Sequence, residues 1–122
     1  MTTNMLSATP ILASLDIARS VDFFCTRLGF TRIYAVQGEY GIVQRGPVSI
    51  HFWACTERHI AENTACRIQV SGVDALYAQC QPLGIVHPKA ALADQPWGSR
   101  EFGVLDPDSN LITFYETKHA IE

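Results

Sequence analysis

The sequence predicts an α+β domain in which one βαβββ unit occurs twice, so that the two repeats form curved mixed sheets with helices on the outer face. Residues 39–43 (EYGIV) recur 62 positions later as residues 101–105 (EFGVL). Residues 50–53 (IHFW) recur at the same distance as residues 112–115 (ITFY). Two matches at one offset indicate that both stretches belong to one duplicated unit.

A third match extends the duplication toward the N-terminus. Residues 12–16 align with residues 70–74 at an offset of 58 positions. Because two units of about 55 residues each could scarcely bury separate cores, we expect one domain over residues 1–122. Repeat one would cover about residues 9–55 and repeat two about residues 66–116.

The first repeat contains one helix, whose bounds follow from apolar spacing and two terminal signals. Apolar residues at spacings of four, three and four from Ile17 to Leu28 fall on one helical face. Asp16 suits the helix N-terminus, and Gly29 follows the last apolar position as a stop signal. We predict a strand at residues 9–14, a helix at 16–28, and strands at 30–35, 39–44 and 48–54.

The second repeat follows a mostly polar connection at residues 56–63. Pro82 weakens the last turn of its helix and Gly84 ends it. A long connection at residues 85–99 holds at most a short strand, and residues 106–110 (DPDSN) consist of turn formers. We predict a strand at residues 66–71, a helix at 73–83, and hairpin strands at 100–105 and 111–116.

Strand alternation separates an aliphatic face from a face that mixes aromatic and polar side chains. In the strand at residues 48–54, Ile50 and Phe52 point to one side, and His51 and Trp53 to the other. Arginine or histidine on a dry face would need buried partners. The mixed face therefore predicts the lining of a solvated groove that accepts a ligand. It carries His51, Trp53, Arg67, Gln69, Thr113 and Tyr115.

The charge and composition argue against several classes of partner. A net charge of −3 and a pI near 5.7 leave no basic stripe for nucleic acid or an anionic membrane. No apolar run approaches the roughly 18 residues of a spanning helix, and residues 1–8 do not resemble a signal peptide. We expect a cytoplasmic protein. The cysteines form no C-x-x-C pair and are expected to be reduced and buried; they are Cys25, Cys55, Cys66 and Cys80.

Two motifs resemble those of a known superfamily. Residues 16–24 (DIARSVDFF) and 27–30 (RLGF) match the signature of its first helix, and residues 106–112 (DPDSNLI) match that of its C-terminal turn. On these motifs the chain resembles the vicinal oxygen chelate superfamily, which includes glyoxalase I, ring-cleaving dioxygenases, fosfomycin-modifying enzymes and bleomycin resistance proteins. The resemblance implies the fold over about residues 9–116, but it does not imply the chemistry.

Three further stretches are similar to the bleomycin resistance branch, namely residues 39–45 (EYGIVQR), 73–78 (VDALYA) and 96–102 (PWGSREF). This resemblance implies a homodimer that sequesters a bleomycin-type glycopeptide antibiotic in grooves at the dimer interface, without a reaction. It also implies that Trp97 stacks on planar rings of the ligand and that Tyr40 takes the place of another aromatic residue. The N-terminal strand would then be a candidate for exchange between subunits.

We expect the ligand-binding set to combine the mixed face with the motif residues. Trp97 could instead plug the end of the sheet, and Tyr40 could pack in the dimer. His51 is expected to donate or accept a hydrogen bond in the groove, because no serine or carboxylate is placed beside it for catalysis. The expected set is Trp97, Tyr40, His51, Trp53, Phe102, Tyr115, Arg67 and Glu39.

The charged residues near the expected groove leave the charge of the ligand open. Arg67 could bind an anionic group, or it could pair with a neighbouring carboxylate. Glu39, Glu101 and Asp94 could supply a negative potential that attracts a cation, or they could remain solvated on the surface. The mildly acidic chain favours a cation, whereas Arg67 favours an anion.

The resemblance also implies where a metal would bind if the protein were an enzyme. Enzymes of the superfamily carry His, Gln or Glu ligands on four strands, and the repeat offsets put Thr9, His51, Arg67 and Thr113 at these positions. Only His51 is a competent ligand, and Arg67 would place a fixed positive charge where a dication should bind. We therefore expect no metal, no cofactor and no catalytic residue. The alternatives are a metal-dependent enzyme of the glyoxalase or thiol-transferase kind and a binding module for a different small ligand.

Overall fold

The computed structural model describes residues 2–118 of the chain. The two predicted βαβββ repeats are present in order, and the connection between them adds a short helix that was not predicted from the sequence. The first repeat and the connection contain β1 (Ile11–Ser14), α1 (Ile17–Leu28), β2 (Thr31–Val36), β3 (Tyr40–Arg45), β4 (Val48–Ala54) and α2 (Arg58–Ala61). The second repeat contains β5 (Ala65–Gln69), α3 (Val73–Cys80), β6 (Ala93–Asp94), β7 (Ser99–Leu105) and β8 (Leu111–Thr117).

Each repeat folds into a four-stranded mixed sheet, and the two sheets have equivalent strand orders. The orders are β1-β4-β3-β2 and β5-β8-β7-β6, with the first strand of each repeat parallel to the last. Helix α1 packs on the first sheet and α3 on the second, and one apolar cluster joins both repeats. The predicted α+β architecture is confirmed. We call the face of each sheet opposite its helix the open face.

The register of β1 corrects one repeat offset inferred from the sequence. Ile11 pairs with His51, and Arg67 pairs with Thr113, which is the counterpart of His51 in β8. Ile11 is therefore the structural counterpart of Arg67. The offset of 58 positions inferred from the sequence is two positions larger than the offset in the structure. Thr9 lies before β1, outside the register in which β1 pairs with β4.

The register of β7 corrects a second offset. Tyr40 pairs with Trp53, and Glu101 pairs with Tyr115, which is the counterpart of Trp53 in β8. Glu101 is thus the counterpart of Tyr40, and Phe102 lies one position further on, facing the opposite side of the sheet. The turn between β3 and β4 is shorter than the turn between β7 and β8, so one offset could not hold on both sides of the turn.

Helix α1 begins and ends at the predicted signals. Asp16 caps its N-terminus by accepting a hydrogen bond from the backbone of the first turn, and Gly29 adopts a left-handed φ of 72° at its C-terminus. Helix α3 ends at Cys80, earlier than predicted, because Pro82 lacks a backbone N–H and the chain tightens into a 3₁₀ turn over Gln81–Leu83. No helix within residues 2–118 has the length and apolar character needed to cross a membrane.

A buried polar cluster in the turn between β7 and β8 joins the two repeats. The fully buried Asp108 carboxylate accepts hydrogen bonds from the Arg19 guanidinium at 2.5 Å and from the Ser20 hydroxyl at 3.3 Å. The Asn110 side chain donates to the Ala13 carbonyl at 2.8 Å. The predicted turn therefore also fixes the second repeat against β1 and α1 of the first.

Candidate ligand-binding site

On the open face of the first sheet, aromatic side chains surround His51. The Tyr40 hydroxyl lies 2.8 Å from His51 Nδ1, and the two rings meet edge to face. Trp53 lies beside Tyr40 in the strand register and is partly exposed, as are Ile11 and Tyr34. These side chains form an apolar surface that the described chain leaves open, which is typical of a ligand or protein contact surface.

On the open face of the second sheet, Glu101 lies at the centre of a hydrogen-bond network. Glu101 is 9% exposed, and its carboxylate accepts from Arg67 Nη2 at 2.9 Å, Ser99 Oγ at 2.6 Å and Trp97 Nε1 at 3.4 Å. The Arg67 guanidinium also lies 4.4 Å from the centre of the Tyr115 ring, a cation–π geometry. Three of the expected site residues, Trp97, Arg67 and Tyr115, therefore meet around one carboxylate.

The surroundings of Glu101 keep its carboxyl group ionised. Burial by itself would raise the pKa of Glu101, but the hydrogen bonds from Arg67, Ser99 and Trp97 outweigh burial and lower the pKa below its ordinary value. The Glu101 carboxylate is consequently ionised where it accepts hydrogen bonds from the Arg67 guanidinium. Of the two roles considered for Arg67 in the sequence, the structure shows the pairing with a neighbouring carboxylate.

Trp97 presents most of its ring to solvent. Its side chain lies in the turn before β7 and Trp97 as a whole is 63% exposed, while the indole N–H points to Glu101. The next residue, Gly98, has a φ of 97°, a conformation that side chains other than glycine rarely adopt. Within this chain the ring does not plug the end of the sheet. One edge is held by Glu101, and the rest is free to contact a ligand.

A cavity of about 390 Å³ opens beside Glu101 on the second open face. This volume lies at the small end of pockets for drug-sized molecules, so a larger ligand would extend out of the cavity over neighbouring surfaces. Its lining includes Pro88, Lys89, Ala93, Gln95, Gly103 and Thr113. The cavity combines the paired charge of Glu101 with mostly small side chains, which leave space for a ligand.

Two residues of the expected set take no part in these side-chain contacts. Phe102 borders the cavity beside Glu101, but it is only 2% exposed and its ring packs against Tyr77 and Phe114, so the expected ligand contact is corrected to a core position. Strand alternation explains the correction, because the neighbour of an open-face residue must face the helix. Glu39 is exposed in the turn between β2 and β3, directly before Tyr40.

The metal-ligand positions of the superfamily hold a single competent ligand in this chain. With the corrected register the four positions are Ile11, His51, Arg67 and Thr113. His51 Nδ1 is already within hydrogen-bond distance of Tyr40, and the Arg67 charge occupies a place that a dication would need. Among residues 2–118, no three His, Cys, Asp or Glu side chains converge as a metal site would require.

Two residues of the second open face, Glu101 and Ser99, have roles that the sequence did not indicate. Glu101 is expected to supply negative potential or to remain solvated, yet it organises the hydrogen bonds of this face. Ser99 lies just outside the predicted strand at residues 100–105, although period-two alternation from Glu101 places it on the same face. The pairing with Arg67 could not be read locally, because 34 positions separate the two residues.

Comparison with known proteins identifies the family. The profile of the Glyoxalase/Bleomycin resistance protein/Dioxygenase superfamily matches residues 8–114, and the chain belongs to this family. Bleomycin resistance proteins from Geobacillus stearothermophilus and Staphylococcus aureus are 40% identical to the chain, over 92% of its length and 97% of theirs. The resemblance stated from the sequence motifs, to the superfamily and to its bleomycin resistance branch, is confirmed.

Solved structures agree with this assignment. A bleomycin-binding protein from bleomycin-producing Streptomyces verticillus, complexed with copper(II)-bleomycin, has a TM-score of 0.83 at 27% identity, covering 93% of this chain and 97% of that chain. A bleomycin resistance determinant encoded on the transposon Tn5 has a TM-score of 0.79 at 26% identity, with coverages of 94% and 100%. A lactoylglutathione lyase from Agrobacterium tumefaciens reaches 0.76 at 16% identity, with coverages of 96% and 97%. The fold is therefore shared by binding proteins and enzymes.

Proposed function

We propose that this protein binds a bleomycin-type glycopeptide antibiotic and sequesters it without a chemical reaction. The observation that carries the proposal is the exposed ring of Trp97, which Glu101 holds beside an open cavity. The 40% identity to bleomycin resistance proteins over nearly the whole chain supports this class of ligand. Sequestration lowers the free concentration of the drug by binding alone, so it needs no nucleophile, general base or metal.

Stacking and burial would supply most of the affinity. Each aromatic pair adds about 0.5–1.5 kcal/mol beyond the free energy of area burial. Arg67 would contribute through its hydrocarbon stem and its position over Tyr115, since its charge is paired. Glu39 would add negative potential at the edge of the first open face. We assign ligand contact to Trp97, Tyr40, His51, Trp53, Tyr115, Arg67 and Glu39.

We propose further that the binding grooves form at a homodimer interface. Ile11, Tyr34 and Trp53 form an exposed apolar surface on the first sheet, and Met5 and Leu6 in the N-terminal segment are almost fully exposed. A two-fold contact would cover this surface, and exchange of the segment before β1 between subunits would bury Met5 and Leu6. Sedimentation at micromolar concentration should give a dimer, and a monomer that keeps its ligand affinity would contradict this proposal.

The free cysteines and the net charge support a proposal for the cellular compartment and the partners. All four cysteines are free thiols, as is usual in a reducing compartment. We therefore place the protein in the cytoplasm. The net charge of −3 is consistent with a small-molecule ligand, and neither nucleic acid nor a membrane is proposed as a partner.

The test is a titration of chelator-treated protein with metal-free and with copper-loaded bleomycin, followed by quenching of tryptophan fluorescence. We expect saturable binding at about one ligand per chain with sub-micromolar affinity. Removing the stacking ring in Trp97→Ala should weaken binding by about tenfold or more, because one aromatic contact and its buried area are lost.

Two controls sharpen this titration. Leu83→Ala removes an exposed apolar side chain in the 3₁₀ turn that follows α3, on the helix side of the second sheet, and should leave the affinity unchanged. Metal analysis of the protein as purified separates the proposal from the enzymatic alternative, which requires a bound metal. No binding up to about 100 μM bleomycin would remove this ligand and direct the search to another occupant of the same grooves.

A further inference from the structure

The two open faces differ in charge at two equivalent positions that are neighbours across the sheet. On the second sheet, Glu101 and Arg67 form an ion pair. Their counterparts on the first sheet are Tyr40 and Ile11, which carry no charge. The first repeat builds the same four-stranded sheet without this pair. Since the fold does not require the two charges and burial of the Glu101 carboxylate carries a desolvation cost, their presence points to a role in the binding site.

The geometry of the pair shows what Arg67 would do without Glu101. Arg67 Nη1 and Nη2 lie 3.4 Å and 2.9 Å from the two carboxylate oxygens of Glu101, so the carboxylate occupies the fork of the guanidinium. The same fork binds carboxylate, sulfonate or phosphate groups of ligands. The Arg67 side chain is 46% exposed, so a ligand anion could reach it if Glu101 did not.

We propose that Glu101 is a specificity-determining residue that excludes anionic ligands by occupying the guanidinium fork of Arg67. This inference rests on the proposed function, because it names the charge class that the same binding face accepts. With Arg67 paired, the face offers stacking surface and no free anion site at Arg67, which favours neutral or cationic planar ligands. Exclusion of the wrong ligand by an occupied site is a common source of specificity.

The experiment compares two planar aromatic dyes of similar size and opposite charge, a naphthalene sulfonate and an acridinium, in equilibrium titrations of the full chain. In Glu101→Gln the neutral amide no longer compensates Arg67. We expect affinity for the sulfonate to rise about tenfold and affinity for the acridinium to fall, where tenfold corresponds to about 1.4 kcal/mol. Thermal unfolding of the variant, measured in parallel, establishes that it is folded.

A double variant tests whether the gain comes from Arg67. Lys89 lines the adjoining cavity and is a second cation that could attract the sulfonate. In Glu101→Gln combined with Arg67→Gln, the gain should disappear if Arg67 binds the anion, and it should persist if Lys89 does. Persistence would overturn the proposal. Arg67→Gln alone leaves the Glu101 carboxylate uncompensated and should shift the preference further toward the acridinium.

The remaining outcomes are also decisive. A sulfonate-to-acridinium preference that changes by less than about twofold in folded Glu101→Gln overturns the proposal, as does a wild-type protein that binds neither dye. Copper-loaded bleomycin is titrated in the same series. If the protein binds bleomycin and the dye preference of Glu101→Gln is unchanged, the proposed function stands and this inference fails. If the dye preference reverses but bleomycin does not bind, the role of Glu101 stands and the proposed function fails.

Discussion

Residues of one chemical type have different roles in this protein because their surroundings differ. Glu39 is exposed in a turn, whereas Glu101 is nearly buried and accepts hydrogen bonds from three side chains. Asp106 is buried as well, but its hydrogen bonds come from the backbone and from Asn110, with no positive charge among them. A buried carboxyl beside a guanidinium stays ionised, whereas a buried carboxyl without one holds its proton to higher pH.

Asp106 should therefore make stability depend on pH. Burial raises the pKa of Asp106 from 3.8 to about 6, against the hydrogen bonds from Asn110 and Asp108 that lower it. Between these two values the folded state holds a proton that the unfolded state has released. Through Asp106 the free energy of unfolding should fall by about 1–3 kcal/mol as pH rises from about 4 to about 6. Urea unfolding at a series of pH values measures this change.

The variant Asp106→Asn isolates this contribution, because the amide cannot titrate. Its carbonyl oxygen can still accept the backbone hydrogen bonds of the turn. The difference between wild-type and variant stability should decrease from about pH 4 to about pH 6 and then level off. Asp22→Asn, an exposed substitution on α1, should leave the wild-type profile unchanged. Parallel curves for wild type and Asp106→Asn would contradict the assigned pKa.

At the scale of elements, α1 depends on local signals that a single substitution can remove. Asp16 caps the helix through Arg19 N at 3.1 Å, and Gln37 Nε2 donates to the same oxygen at 2.9 Å. Asp16→Ala should lower the free energy of unfolding by about 1 kcal/mol, because the first turn loses its acceptor. Chemical denaturation measures the loss. Asp22→Ala, in the middle of the same helix, should cost clearly less, and equal losses would count against a capping role.

The difference between local signals and long-range pairing explains which elements could be predicted from the sequence. The bounds of α1 follow from the spacing of its apolar residues and from Asp16 and Gly29, which all lie within one short segment. The position of Phe102 depends on the length of the turn after β7 and on how β7 pairs with β8, so the motif that contains it could not show which face it takes. Pairing sets the face of every side chain in a strand.

The sequence could predict which side chains of the candidate site share a sheet face, but it could not predict the hydrogen bonds that join them. Alternation along β4, β5 and β8 placed His51, Arg67 and Tyr115 on the mixed face, and the structure keeps them on the open faces. The hydrogen bonds that join Arg67 and Trp97 through Glu101 connect β5, the turn before β7 and β7 itself. Such contacts depend on the tertiary arrangement of segments that are distant in sequence.

At the scale of the whole molecule, the two repeats share one apolar core and are joined by the polar cluster around Asp108. Neither sheet is large enough to bury a separate core, so we expect the repeats to unfold together. Asp108 receives hydrogen bonds from Leu15, Arg19 and Ser20, all of the first repeat, while its own backbone belongs to the second. Its removal should therefore destabilise both repeats.

The variant Asp108→Ala tests this coupling with one tryptophan in each repeat. Loss of the buried carboxylate should lower the free energy of unfolding by about 3 kcal/mol, because buried donors lose their acceptor. Trp53 reports on the first repeat in a Trp97→Phe background, and Trp97 reports on the second in a Trp53→Phe background. Asp94→Ala, which removes exposed ion pairs with Arg100 and Lys118, serves as the matched surface control and should leave both midpoints in place. Both probes should shift to the same lower denaturant midpoint in Asp108→Ala, since one transition unfolds both repeats. A shift confined to one tryptophan would show instead that the repeats unfold separately and that Asp108 stabilises only one of them.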